Sequence, residues 1–114
     1  MKAILFKARH EHKEIDGLPA IFPDGINPMD FTWLDELADD FICSCKEEHL
    51  DIYVTGLTAA TVAVIRSAIG YNKSLTLWHY DREADCYRPQ KVVTAGLFEY
   101  ELDAFFPYAD IPSN

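Results

Sequence analysis

Cysteine is scarce in this chain. The 114 residues include three cysteines, Cys43, Cys45 and Cys86, with no Cys-x-x-Cys pair. An odd count at these spacings indicates neither a secreted disulfide framework nor a zinc knuckle, so a reducing, cytoplasmic setting is expected. Long apolar runs are lacking too. The N-terminal stretch MKAILFKARHEH turns polar too soon for a signal peptide, and no later segment approaches the roughly 20 apolar residues of a membrane span. Positive charge is the third shortage: Lys and Arg total 10 against 19 Asp and Glu, a formal net charge of -9. Such a surface repels nucleic acid and anionic lipid, so neither duplex DNA nor a membrane is an expected partner. A small anion is not excluded by this balance, because it responds to the few groups around one pocket.

The content that remains, 49% hydrophobic and 25% charged, is that of an ordinary globular chain. At this length roughly two-thirds of the unfolded surface can be buried, enough for a core without metal or disulfide staples. One α/β domain over residues 1–114 is expected.

Along the chain, residues 2–8 hold the run Ala-Ile-Leu-Phe and lead into Arg9-His10-Glu11-His12, a buried strand running out to a polar edge. Residues 13–29 carry Gly17, Pro19, Pro23, Gly25 and Pro28, too many breakers for a regular element. They read as a loop over the core, held by Ile15, Leu18, Ile21 and Phe22. From Asp30, Phe31, Leu34, Leu37, Ala38, Phe41, Ile42 and Cys45 recur at helical spacing, with Asp35, Glu36, Asp39 and Asp40 opposite. The spacing predicts an amphipathic helix ending near Glu48, capped by Asp30 or Thr32, with Lys46 at the negative end of its dipole.

Residues 50–55, LDIYVT, read as a second strand, and Gly56 leads into an apolar helix over 57–69 that stops at Gly70. That helix is apolar nearly all round, which predicts burial against the sheet and neighbours or in a subunit interface. Residues 74–80 and 86–94 predict a hairpin about the polar turn 81–85. Phe98, Tyr100 and Leu102 alternate with Glu99, Glu101 and Asp103 as in a half-exposed edge strand, followed by an aromatic, acidic tail. The order β, loop, α, β, α, β, β predicts a compact, Rossmann-like α/β domain, its parallel core strands extended by an antiparallel hairpin.

Ligands of open α/β sheets gather at the carboxyl ends of the parallel strands. Here those ends are Arg9-His10-Glu11-His12, Thr55-Gly56-Leu57-Thr58 and His79-Tyr80-Asp81-Arg82. The glycine turn and the first N–H groups of the following helix can cradle a phosphate, although the turn matches neither common glycine-rich phosphate motif. Arg9 can grip a phosphate through two hydrogen bonds, and His10 or His12 can exchange a proton near neutral pH. His79 shares a strand face with Leu75 and Leu77, which suits a core histidine or a catalytic one, while Arg82 lies within reach of a ligand or is merely exposed. Trp78 and Tyr80 suit packing or base stacking. His10, His12, His49 and the cysteines match no standard metal spacing, so no metal or other cofactor is expected. There is no Gly-x-Ser-x-Gly, and no triad about a Ser or Cys nucleophile can be assembled from spacing.

The segment LDIYVTGLTAATVAVIRSAIGYNKSLTLWHYDRE, with ILFKARH before it, resembles the nucleotide-sensing core of CARF-type proteins. It also resembles the small stand-alone CRISPR-associated members of that class, some of which are ring nucleases. The resemblance implies a CARF-like fold, a homodimer whose two-fold axis passes through a cyclic oligoadenylate or related cyclic nucleotide, and a role in antiviral defence. It implies ligand contacts from Thr55, Gly56, Leu57, Thr58, His79 and Arg82, with Arg9 and His10 over the scissile linkage. Cleavage would be metal-independent, a ribose 2′-hydroxyl attacking the adjacent phosphorus while Arg9 and the helix N-terminus stabilise the growing charge. Two other readings accompany it: a sensor or sponge that binds without cleaving, and an acidic phage-type or regulatory module that fills a partner's basic groove.

Overall fold

The computed structural model describes residues 1–7 and 12–93. Its strands are β1 (Lys2–Ile4), β2 (His49–Tyr53), β3 (Ser74–Asp81) and β4 (Cys86–Val93), and its helices α1 (Phe31–Ser44) and α2 (Thr58–Gly70). The sheet order is β1-β2-β3-β4, parallel from β1 to β3 and antiparallel between β3 and β4. This is a small α/β domain with a mixed sheet, as the alternation of elements predicts. Both helices lie against one face, since Ala3, Leu5, Leu50, Ile52, Leu75 and Leu77 share a core with Leu34, Ala38 and Ile42 of α1 and Ala60, Ala63, Val64 and Ala68 of α2. Fully burying each large aliphatic side chain there contributes about 1.5–3 kcal/mol.

Several boundaries differ from the sequence expectation for identifiable reasons. The apolar run of the first strand continues past Ile4, but its partner changes. Ile4 and Leu5 carbonyls accept from Ile21 and Phe22 of the loop, and the backbone of Phe6 is taken by the Thr55 hydroxyl. The loop closes over the core with Ile15, Ile21, Phe22 and Ile26 buried; it contains one 3-10 turn, Lys13–Ile15, and a parallel bridge from Ala20 to Ile4. α1 begins at the Asp30 cap, whose Oδ1 accepts from the Trp33 N–H at 3.1 Å.

α1 stops at Ser44, short of Glu48, and its last turn holds no basic residue. The cation expected from Lys46 comes instead from Lys73, whose Nζ donates to the carbonyls of Cys45 (3.0 Å) and Glu47 (2.8 Å). α2 is less enclosed than its composition suggests: Val62 is 55% and Ile69 53% exposed. An apolar helix need bury only the side that meets the sheet and α1, and Arg66 on its outer side pairs with Asp35 of α1 at 3.1 Å. The edge strand expected at 98–102 and the aromatic tail lie outside the described residues.

The sheet's second face carries a separate small core of Ile4, Ile15, Tyr53 and Tyr87, with Leu18, Ala20, Trp78 and Tyr80 against it. Tyr53 stacks on Trp78 with centroids 5.6 Å apart, and Tyr87 meets Tyr53 edge-on at 5.0 Å. His12 joins this cluster 5.6 Å from the Tyr87 ring. Among the described residues, no helix is long and apolar enough to cross a membrane.

Candidate functional site

Because β1, β2 and β3 run parallel, their carboxyl ends share one edge. Lys7 follows β1, Thr55 to Thr58 follow β2, and His79 to Arg82 end β3 and open the turn to β4. Arg9 and His10, the expected catalytic pair, lie outside the described residues. The other expected residues are placed, and each has a distinct environment.

Thr55 is fully buried. Its Oγ1 donates to the Phe6 carbonyl and accepts from the Phe6 N–H, both at 3.0 Å. The side chain thus closes the gap between the first strand's continuation and β2, and both halves of its hydroxyl are engaged there. Gly56 has φ +134°, a conformation that a side chain strains and glycine adopts freely. It turns the chain from β2 into α2 over a single exposed residue. Leu57 is the cap of α2 and supplies no side-chain acceptor, so the first-turn N–H groups from Thr58 onward have no intrahelical partner and carry the positive end of the dipole.

His79 is exposed, which removes the core-histidine reading. Its Nε2 lies 2.7 Å from Gln90 Oε1 on β4. Arg82 sits in the exposed β3–β4 turn. That turn is pinned by Asp81, which accepts from the N–H groups of Glu83 and Ala84 and from Arg88 at 3.1 Å. The Ala84 N–H, then the Arg88 guanidinium, hold its carboxyl below the usual aspartate range, with the Glu83 N–H adding to both. Tyr80 is pushed up by its hydrogen bond to Asp85, helped by desolvation. His12 is engaged as well: Nδ1 accepts from the Glu14 N–H and Nε2 lies 3.2 Å from the Asp85 carbonyl, tying the loop to the turn.

Beside the end of β1, a depression of about 370 Å³ is lined by Lys7, Ala20, Ile21, Phe22, Pro23 and Asp24. Lys7 is exposed on its rim, a cation outside the set of arginines and histidines expected at this edge from the sequence. Its signal was available: a lysine directly after a buried strand run at the ligand-binding edge of a parallel sheet. Among the described residues, no group of three or more His, Cys, Asp and Glu side chains can hold a metal ion. Comparison with known protein families, curated proteins and solved structures yields no match.

Proposed function

We propose that this chain binds a small phosphate-bearing ligand at the carboxyl edge of its parallel strands, with a cyclic oligoadenylate the ligand class that its resemblance to CARF-type proteins implies. The observation that carries this reading is the start of α2. A glycine at φ +134° and a helix without a side-chain cap leave backbone N–H donors free for an anion. Lys7 supplies an exposed positive charge near the same edge, and His79 and Arg82 add donors on its β3 side. Leu57 and Thr58 flank the ribose or phosphate, while Thr55 serves by holding the turn in place.

The fold, on this reading, is the Rossmann-like variant of the α/β class, and two copies face a ligand of matching two-fold symmetry. Ring cleavage is the catalytic extension of the proposal. A ribose 2′-hydroxyl attacks the neighbouring phosphorus, His10 exchanges the proton and Arg9 neutralises the developing charge, leaving cyclic 2′,3′-phosphate ends. Binding without cleavage is the second reading, favoured because the backbone donors are in place independently of Arg9 and His10.

The test is incubation of the purified chain, with chelator, against cyclic tri-, tetra- and hexa-adenylate and cyclic dinucleotides, followed by chromatography with mass detection. A retained or linearised ring supports the proposal. Linear products that persist in Arg9→Ala and His10→Ala remove the catalytic assignment, and 5′-phosphate products remove 2′-hydroxyl attack. The absence of both retention and cleavage overturns binding and turns attention to a protein partner for the acidic face of α1, where Glu36 and Asp40 are exposed.

A further inference from the structure

The polar cluster on the second sheet face, at the opposite edge from the proposed anion site, has the connectivity of a nucleophile and its base. Parallel pairing sets His49 beside Ser74 and Asp51 beside Thr76. His49 Nδ1 lies 2.8 Å from Ser74 Oγ, and His49 Nε2 lies 3.3 Å from Asp51 Oδ1. Asp51 Oδ1 also accepts from Trp78 Nε1–H at 2.9 Å, so its lone pairs are held in place by the aromatic core of the same face.

The tautomer follows from these partners. A carboxylate oxygen facing Nε2 requires a proton there, since two lone pairs would otherwise oppose each other. Thr76 Oγ1, 3.3 Å from the same nitrogen, can share that proton as a second acceptor. Nδ1 is then the basic nitrogen and it faces Ser74. The Ser74 hydroxyl has a competing acceptor in the Glu48 carbonyl at 3.3 Å, which is 0.5 Å farther than Nδ1. The imidazole is 46% exposed and Asp51 21%, so the base is open to solution while its anchor is held.

We infer that Ser74, His49 and Asp51 form a nucleophilic site for unhindered carboxylic esters, the two exposed lysines that flank it favouring acyl groups that carry a negative charge. Lys2 of β1 lies opposite Asp51 and Lys91 of β4 opposite Thr76, which sets a cation on either side of the cluster. The Ser74 proton passes to His49 Nδ1 as Oγ bonds to the acyl carbon, and that proton then leaves with the departing alkoxide as alcohol. Water next gives a proton to Nδ1 and its oxygen to the acyl carbon. Ser74 recovers the proton as the carboxylic acid departs, so the sum is ester plus water to acid plus alcohol.

The experiment treats the full chain with 4-nitrophenyl acetate and with the 4-nitrophenyl monoester of suberic acid, whose distant carboxylate cannot close an anhydride ring, following nitrophenol release and mapping the acyl adduct by peptide mass spectrometry. The expected adduct is on Ser74, with faster release from the suberate ester than from a neutral ester of the same chain length. Ser74→Ala should abolish the adduct, and His49→Gln or Asp51→Asn should slow it by about 10²-fold, the scale of general-base assistance. Far-UV circular dichroism and urea midpoints establish that each variant is folded. Adducts confined to Met1, Lys2 or Lys91 overturn the proposal, as does a Ser74 adduct that forms at the same rate in folded His49→Gln.

Discussion

Thr55 offers both halves of its hydroxyl to the backbone of Phe6 in a fully buried position, and a buried donor or acceptor left unpaired costs about 1–3 kcal/mol. Thr55→Val keeps the shape and orphans both Phe6 groups, so its urea midpoint should fall accordingly, whereas Thr55→Ser should retain most of the stability. Equal midpoints for the two variants would show that the hydroxyl is dispensable. The opposite sign is expected at Tyr87. Among the described residues its buried hydroxyl has no hydrogen-bond partner, so Tyr87→Phe removes an unpaired polar group while keeping the ring contacts. Thermal unfolding at neutral pH should show no loss of stability.

At the scale of the element, α2 separates a folding role from a binding role. Its first helical residue, Thr58, is exposed and lies at the positive end of the dipole. An aspartate there interacts favourably with that end by roughly 0.3–1 kcal/mol, yet places a negative charge where the proposed phosphate would rest. Thr58→Asp should therefore raise the urea midpoint slightly while weakening retention of a cyclic oligoadenylate. Undiminished retention in this variant would move the anion site away from α2. The carboxyl end of α1 shows the same dipole logic met across the fold. Lys73, in the turn between α2 and β3, reaches the Cys45 and Glu47 carbonyls, so the helix is closed by a residue distant from it along the chain.

For the whole molecule, the two faces of the sheet behave differently. The helix-covered core is mostly aliphatic with Phe6 stacked on Phe22, whereas the second face carries Tyr53, Trp78, Tyr80 and Tyr87 with Ile15 and Leu18 of the 13–29 loop against them. Burial pushes the Tyr53 and Tyr87 hydroxyls above the ordinary tyrosine range, with Glu14 adding to both. Their folded values are raised, so the associated stability is present below the usual value of about 10 and is lost as pH rises through the raised values. Unfolding midpoints should decline on the alkaline side, and less steeply in Tyr87→Phe than in the parent chain. An identical decline in both would place the alkaline sensitivity elsewhere.

The element types were legible because local patterning is strong: apolar residues at helical spacing from Phe31, β-branched and aromatic runs at residues 50–55 and 74–80, and glycines at the turns. Strand direction and the hairpin followed from the order of elements. The carboxyl edge was legible as a location, since topology alone sends Thr55 to Thr58 and His79 to Arg82 there, but not as a set of contacts. Whether Thr55 faces inward and whether His79 is exposed depend on packing that no local window contains. The cluster of His49, Asp51, Ser74 and Thr76 was not legible at all. His49 and Ser74 are 25 residues apart, and only the parallel register of β2 on β3 puts them in contact. Sequence by itself determined the elements, their order and the charge balance, because these rest on short-range periodicity and composition. Tertiary structure decided which polar groups meet, because strand pairing joins residues whose separation along the chain carries no local signal.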